Sequence, residues 1–358
     1  MKGRAPYREV LTHGFTVDEK GRKMSKSLGN DMGGPQKVIR TLGADILRLW
    51  VAATDYRAEM SISDEILKRI ADSYRRIRNT ARYLLANLDG FDPADALPVD
   101  DLLALDRWAL EKTRELQQEV LAAYDSYNFH LIYQKVHQFC VVELGGFYLD
   151  VLKDRMYTMQ RRSRGRRSAQ TVMFHMLEAL VRWLAPVLSF TAEEIWSHMP
   201  GRRAESVFLE TWYRLPEAKK AAEGAISPQL WERVLAVRQT VSRELERLRV
   251  AGAIGSSLDA EVDLYCGDDL LQQLTLIGDE LRFVFITSYA RLHPLADKPA
   301  DAAAAELPGL FVKAAPSRHP KCVRCWHHRE DVGKHPEHPA LCGRCVENLA
   351  EGETRKVA

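Results

Sequence analysis

Residues 63–90 read SDEILKRIADSYRRIRNTARYLLANLDG. The apolar side chains of this stretch recur at spacings of three and four residues, as expected for an α-helix with one buried face. They are Ile66, Ile70, Tyr74, Ile77, Ala81, Leu84 and Leu88. Ser63 is a favourable N-cap, Asp64 and Glu65 suit the positive end of the helix dipole, and Asp89-Gly90 is a typical stop. The stretch therefore predicts one long amphipathic helix.

The same period continues as far as Pro216. It predicts further helices at 101–123, 129–152 and 169–184, and a short one near Thr191, where Thr191-Ala192-Glu193-Glu194 fits a capping box. Long amphipathic helices joined by short polar breaks are typical of a helix bundle. We therefore expect a mainly α fold with a helical bundle over 46–216.

The sequence on either side of this bundle predicts other kinds of secondary structure. Residues 1–35 are expected to be loop and hairpin, with strands at 10–13 and 15–17 around Gly14 and a turn at 18–21. Residues 217–316 predict a small α+β subdomain. Its expected elements are helices at 228–250 and 269–277, strands at 258–265, 281–286 and 310–312, and a linker at 298–306.

Length and composition set broad limits. The chain has 358 residues, of which 46% are hydrophobic, so it is not a wholly disordered chain. Its 51 basic and 49 acidic residues leave a net charge of +2, which indicates no particular partner. No apolar run reaches the roughly 18 residues of a membrane helix, and no signal peptide is recognisable. We expect a cytoplasmic protein that contacts no membrane.

The most specific chemical pattern lies near the C-terminal end. Cys322-Val323-Arg324-Cys325 is followed, after sixteen residues, by Cys342-Gly343-Arg344-Cys345. Two such Cys-x-x-Cys knuckles predict one structural Zn²⁺ held by Cys322, Cys325, Cys342 and Cys345, with no open position for catalysis. The segment 317–358 is too short for its own apolar core, so the metal would fold it. The alternative is a pair of disulfides or a redox pair.

Other residues near these knuckles have two interpretations. His319, His327, His328, His335 and His338 are available as replacement ligands, although four cysteines leave them no vacancy. Arg324 and Trp326 suggest RNA, because cations meet phosphates and an exposed aromatic ring stacks on an unpaired base. Alternatively, Trp326 covers the metal site and the charges are ordinary surface.

A second pattern, Lys23-Met24-Ser25-Lys26-Ser27, lies near the start of the chain. Two lysines three residues apart, with serine hydroxyls between them, suit a polyphosphate such as that of ATP. A charged loop of this kind is also commonly just a solvated one. The complete pentapeptide, here called the KMSKS loop, is the signature of class I aminoacyl-tRNA synthetases.

The resemblance extends along nearly the whole chain. The chain resembles the bacterial isoleucyl-tRNA synthetases in its N-terminal segment, in the bundle and in residues 317–358, here called the zinc tail. The matching stretches include His13-Gly14-Phe15-Thr16-Val17, Leu42-Gly43-Ala44-Asp45-Ile46-Leu47-Arg48-Leu49-Trp50, Leu180-Val181-Arg182-Trp183-Leu184-Ala185-Pro186 and Cys325-Trp326-His327. The zinc tail makes a valine enzyme the weaker match.

The resemblance implies a C-terminal portion of such an enzyme. Residues 1–45 would end a Rossmann-like catalytic domain, 46–216 would bind the anticodon region of isoleucine tRNA, 217–316 would form the small subdomain, and 317–358 would bind zinc. Lys23 and Lys26 would stabilise the triphosphate of ATP, with Mg²⁺, as isoleucine attacks the α-phosphate. Met24, Ser25 and Ser27 would complete the ATP contact. We expect a monomer.

Two family features are absent, namely the His-x-Gly-His-like signature and the editing domain. The chain before Lys23 is also too short to form a parallel sheet with crossover helices. We therefore expect the chain to be inactive without an N-terminal half. The rival interpretation is a stand-alone tRNA-binding zinc protein with a vestigial KMSKS loop.

An arginine-rich stretch, Arg161-Arg162-Ser163-Arg164-Gly165-Arg166-Arg167, lies between two predicted helices. Arg161, Arg162, Arg164, Arg166 and Arg167 would contact tRNA phosphates, and each contact would steepen the salt dependence of binding. The alternative is a solvated loop.

Overall fold

The computed structural model describes residues 3, 5–31, 34–218, 226–350, 352 and 354–358. The predicted domain segments 1–45, 217–316 and 317–358 each include a few residues that lie outside this set. Within it, the α-helices are α1 (Gly34–Leu42), α2 (Ala44–Ala53), α3 (Asp64–Asn87), α4 (Ala104–Asp125), α5 (Phe129–Gln138), α6 (Leu149–Thr158), α7 (Arg164–Leu184), α8 (Ser189–His198), α9 (Pro228–Val250), α10 (Asp268–Thr275), α11 (Leu281–Phe285) and α12 (Gly343–Ala350). The strands are β1 (Thr16–Val17), β2 (Met60–Ser61), β3 (Ala260–Cys266), β4 (Tyr289–Pro294), β5 (Ala303–Ala304) and β6 (Leu310–Pro316).

Side-chain caps fix the starts of the two longest α-helices among the described residues, both of which were predicted. The Ser63 hydroxyl accepts the Ile66 N–H at 3.2 Å at the start of α3. The Ser227 hydroxyl accepts the Leu230 N–H at 3.1 Å at the start of α9, whose first residue is a proline. Both caps satisfy donors that the helix itself leaves unpaired. These two predictions, and the mainly α fold class, are confirmed.

The predicted helix at 129–152 is longer and less regular than expected. α5 leads into a π-helical segment, Phe139–Tyr148, which continues as α6 to Thr158. Gly145 lies in the widened turns, where a β-carbon would be 3.1 Å from the Cys140 carbonyl oxygen. Sequence periodicity does not separate this wider winding from an α-helix.

The chain forms two compact units, and the division between them falls within α4 and α7. The first unit comprises Met1–Asp89, Lys112–Gly146 and His175–Leu215. In it α2 packs against α1, α3 and α5, and α3 packs against α5 and α8. The Asp45 carboxylate at the start of α2 accepts the Thr191 N–H at 2.8 Å and the Thr191 hydroxyl at 2.6 Å. Thr191 therefore lies inside α8, bonded to Asp45, and the predicted capping box at Thr191 is wrong.

The strand predicted at 10–13 is also wrong, whereas the chain does turn back over 18–21, where Val17 forms an antiparallel bridge with Lys23. Residues 10–13 form no strand, and β1 pairs in parallel with β2, with Thr16 opposite Met60. The Gly14 N–H donates to the Tyr56 carbonyl at 2.8 Å, and a β-carbon on Gly14 would lie 2.0 Å from the Ala58 carbonyl oxygen. The partner of this segment is thus about forty residues away, which local turn signals do not reveal.

The second unit comprises Gly90–Glu111, Phe147–Phe174 and Pro216–Ala358. Its four-stranded sheet has the order β4-β3-β6-β5, with β3 parallel to β4 and antiparallel to β6. α9 packs against β6, and α11 packs against α6 and α9. The strand predicted at 281–286 is instead α11, because its five residues, Arg282 included, are all buried, and such a run does not distinguish a strand from a helix. β4 was not predicted.

No helix in the described part of the chain combines the length and apolar character that a membrane span needs.

Candidate functional site

The first half of the KMSKS loop is held by the Asn30 side chain. The Asn30 side chain accepts the Ser25 N–H at 2.8 Å and donates to the Lys23 carbonyl at 3.3 Å. It also donates to Asp18 at 3.0 Å, and the Arg22 guanidinium pairs with the same carboxylate at 2.7 Å. The pKa of Asp18 lies well below its ordinary value. The hydrogen bond from Asn30 is the largest cause, and the hydrogen bond from Arg22 is the next largest. The predicted turn is present, with Gly21 at φ 72°.

The cations of this loop face solvent. Lys23 and Lys26 are exposed, and neither forms an ion pair among the described residues. The Lys23 ammonium lies 4.9 Å from the centroid of the Phe15 ring. The Ser25 hydroxyl accepts the Leu28 N–H at 3.2 Å and so caps a short 3₁₀ helix, Lys26–Leu28. The loop therefore presents two unneutralised ammonium groups on an ordered backbone, an arrangement that can bind a polyphosphate.

The four cysteines of the two knuckles come together. Each is at most 6% exposed, and their sulfur atoms all lie within 4.8 Å of one another. The Cys325 and Cys342 sulfurs are 3.7 Å apart. A tetrahedron with Zn–S bonds of about 2.3 Å needs a sulfur separation of about 3.8 Å. The four residues thus fit Zn²⁺, and the described histidines are not part of this ligand cluster.

The zinc tail is fastened to α6 by Asp154. The Arg344 guanidinium donates two hydrogen bonds of 2.8 Å to the Asp154 carboxylate, and Arg355 donates to the same group. Burial alone would raise the pKa of Asp154, but Arg344 and Arg355 hold it well below its ordinary value. Sequence reasoning missed this contact because Asp154 and Arg344 are 190 positions apart.

Trp326 is displayed on the surface of the zinc tail. Its residue is 61% exposed and has a positive φ of 66°. Trp326 lines a groove of about 250 Å³ together with Tyr157 and Phe283. The Arg324 side chain beside it donates to the Thr158 carbonyl at 3.0 Å. This exposure favours a ligand-stacking role for Trp326 over the alternative of a lid on the metal site.

The five arginines of residues 161–167 are not equivalent. Arg161, Arg162 and Arg164 are exposed, although Arg164 also donates to the Asp101 carbonyl at 2.9 Å. Arg166 donates to the Met156 carbonyl at 2.8 Å, and Arg167 pairs with Asp95 at 3.4 Å. Arg164, Arg166 and Arg167 lie in the first turn of α7. The stretch was expected to lie between two helices, but only its first part does.

Known families match three parts of the chain. A family described as "tRNA synthetases class I (I, L, M and V)" matches residues 1–63. "Anticodon-binding domain of tRNA ligase" matches residues 106–264, and "Zinc finger found in FPG and IleRS" matches residues 320–348. The last match covers all four clustered cysteines.

Whole-chain relatives agree with these families. The isoleucine–tRNA ligase of Nitrosococcus oceani is 63% identical over 98% of this chain and 37% of that protein. The isoleucine–tRNA ligase of Methylococcus capsulatus is 61% identical over 99% of this chain and 38% of that protein. The chain thus spans less than two fifths of the length of these relatives.

Among solved structures, a LeuRS–tRNA–LeuAMS complex of Agrobacterium radiobacter K84 has 22% identity and a TM-score of 0.42, over 57% of this chain and 23% of that one. A likeness of that size supports no conclusion, so the assignment depends on the sequence relatives. With 61–63% identity over nearly all of its residues, the chain belongs to the isoleucine–tRNA ligase family of class I aminoacyl-tRNA synthetases and corresponds to a C-terminal portion of its members.

Proposed function

We propose that this chain is the C-terminal part of an isoleucyl-tRNA synthetase, which activates isoleucine with ATP and transfers it to isoleucine tRNA. The observation that carries this proposal is the ordered KMSKS loop with its two exposed, unneutralised lysines, in a chain that spans 37–38% of isoleucine–tRNA ligases. The functional segments are 1–45, 46–216, 217–316 and 317–358. The protein acts in the cytoplasm as a monomer.

The KMSKS loop binds the triphosphate of ATP, which enters with Mg²⁺. Lys23 and Lys26 place positive charge where negative charge develops on the phosphates as the isoleucine carboxylate attacks the α-phosphate. The hydroxyls of Ser25 and Ser27, whose oxygens are 2.9 Å apart, supply donors, and Met24 completes the ATP contact. The amino-acid site and the rest of the ATP site come from an N-terminal half.

The helical bundle (residues 46–216) and the zinc tail (residues 317–358) bind isoleucine tRNA. Arg161, Arg162 and Arg164 are the exposed cations of their cluster and meet phosphates. Arg166 and Arg167 contribute charge from positions already bonded within the protein. Trp326 stacks on an unpaired base, with Arg324 beside it.

The four cysteines hold one structural Zn²⁺. Cys322, Cys325, Cys342 and Cys345 fill the tetrahedron, so no water position remains for catalysis. When bound, the ion cross-links two knuckles that have little apolar core of their own. The four-cysteine geometry supports this role, because all the sulfurs already converge.

Reconstitution tests the proposal. The full chain is mixed with the separately produced N-terminal portion of the Nitrosococcus oceani enzyme, and isoleucine-dependent ATP–pyrophosphate exchange is measured. The chain alone is expected to give no exchange, and the mixture is expected to give it. Lys26→Ala should reduce exchange by about 10²–10³-fold, whereas Lys37→Ala, an exposed lysine on α1, should not.

Two results would contradict the proposal. Exchange by the chain alone would show that no N-terminal half is needed. Equal exchange by Lys26→Ala and Lys37→Ala mixtures would show that the KMSKS loop is vestigial, as in a stand-alone tRNA-binding zinc protein.

A further inference from the structure

A small cavity of about 60 Å³ lies beside the four-cysteine cluster. Its lining residues are Arg282, His327, Arg329, Asp331, Cys342 and Arg344. A space of this size holds only a few water molecules. Three guanidinium groups and one carboxylate therefore surround a space that a cluster cysteine also borders.

Arg282 is the most deeply buried cation of this cavity. The residue is 8% exposed, and its Nε atom is buried without a hydrogen-bond partner among the residues that the structure describes. Its terminal nitrogen donates to Asp279 at 2.5 Å, but the Asp279 side chain is 68% exposed. A carboxylate that is mostly in water offsets a buried positive charge only weakly.

The other carboxylates near the cavity have partners of their own. Asp331 accepts the Gly343 N–H at 2.7 Å, at the start of α12. Asp154 is bound by Arg344 and by Arg355. The charged side chains named here, leaving the cysteines aside, are four arginines and three aspartates. They are Arg282, Arg329, Arg344 and Arg355, and Asp154, Asp279 and Asp331. Positive charge is in excess on this side of the cluster.

Four thiolates around one Zn²⁺ carry a net charge of −2. We propose that Arg282, Arg329 and Arg344 balance this negative charge and thereby raise the affinity of the four-cysteine cluster for zinc. The inference rests on the zinc assignment in the proposed function. Opposite charges attract strongly where protein excludes water, and groups around the ligands tune metal affinity.

The geometry indicates that these arginines neutralise the negative charge of the four-cysteine cluster and not that of an RNA phosphate. Arg282 is too deeply buried to meet an RNA backbone, and Arg344 is turned to Asp154 by two hydrogen bonds of 2.8 Å. Arg329 is half-buried, with its guanidinium 4.1 Å from the Tyr289 ring centroid and donating to the Ser288 carbonyl at 3.2 Å.

Zinc affinity of the full chain tests the inference, measured by competition with a chromogenic chelator and with Zn²⁺ as the only added ligand. Arg329→Gln and Arg282→Gln should each raise the Kd for zinc about 10–100-fold. Arg329→Lys keeps the charge and should recover most of that loss. Arg318→Gln, an exposed arginine outside the cavity, should leave the Kd unchanged.

Each outcome decides the point. Unchanged affinity in folded Arg329→Gln overturns the inference, and so does Arg329→Lys as weak as Arg329→Gln, because charge would then not be the cause. A loss of tRNA binding with no change in zinc affinity also overturns it. If Arg282→Gln does not fold, the zinc affinity of Arg329→Gln alone tests the inference. Failure of the wild-type chain to bind zinc contradicts the zinc assignment itself, which is a distinguishable result.

Discussion

Gly14 shows how a single residue joins the N-terminal segment that carries the KMSKS loop to the rest of the first unit. Its N–H donates to the Tyr56 carbonyl, and any β-carbon would lie 2.0 Å from the Ala58 carbonyl oxygen. Real β-carbons do not come this close to another atom, so the backbone must shift if a side chain is added. The position therefore fixes where β1 can pair with β2.

Gly14→Ala is expected to lower the free energy of unfolding by about 1–3 kcal/mol, since overpacking costs that much. Urea unfolding monitored by circular dichroism measures the change. His13→Ala is the matched control, because His13 is exposed in the same segment. Equal stability of the two variants would contradict the close approach at Gly14.

His175 gives the first unit a pH-dependent contribution to stability. Burial lowers the pKa of His175 to about 4, and the ring Nδ1 lies 2.8 Å from the Tyr213 hydroxyl oxygen. An unfolded chain binds this proton near pH 6.5, so between about pH 6.5 and about pH 4 the unfolded state holds the extra proton. Stability must therefore fall as pH falls through that window.

His175→Gln should remove this contribution, which corresponds to about 3 kcal/mol over the whole window. The free energy of unfolding would then depend less steeply on pH than in the wild type. Urea titrations at several pH values measure the slope, and His198→Gln, at an exposed histidine, serves as the control. Parallel curves for His175→Gln and the wild type would be inconsistent with the lowered pKa.

At the scale of elements, the zinc tail depends on its ligands more than on apolar packing. The four cysteines form a buried cluster of their own, and within the described part of the tail the partly buried hydrophobic residues packed against it are Val332 and Leu341. Loss of one ligand should therefore unfold the tail, including α12, without unfolding the helices that precede residue 317. The contact between Asp154 and Arg344 depends on the tail being folded.

Cys345→Ser is expected to abolish stoichiometric zinc binding and to make residues 317–358 sensitive to trypsin, while the helical circular dichroism signal changes little. Zinc content by atomic absorption and mass mapping of the tryptic fragments measure both effects. Cys266→Ala is the control, because Cys266 lies in β3 outside the cluster. A trypsin-resistant tail in zinc-free Cys345→Ser would argue against metal-dependent folding.

Elements with local signals were predictable from sequence. The helix predicted at 228–250 is α9, and its bounds in the structure are Pro228–Val250. The cysteine spacing likewise predicted a cluster that the structure brings together. The run Leu281–Phe285 was not predictable, because residues buried on every side carry no period. Contacts such as Asp154 with Arg344 depend on tertiary placement, which one sequence does not encode locally.

At the scale of the whole molecule, the sites described are partial. The KMSKS loop offers two exposed lysines, and the chain spans 37–38% of the length of its relatives. Because the net charge of the chain is only +2, the proposed RNA binding depends on local groups such as Arg161 and Arg162. The proposed tRNA binding therefore relies on the helical bundle (residues 46–216) and the zinc tail (residues 317–358) acting together.

Binding of transcribed isoleucine tRNA and valine tRNA to the zinc-loaded full chain, at one fixed salt concentration, tests this account most directly. The account predicts that isoleucine tRNA binds at least about tenfold more tightly, a difference of about 1.4 kcal/mol. It also predicts that this preference weakens in Trp326→Ala. Equal affinity for the two tRNAs, or no binding of either, would contradict it.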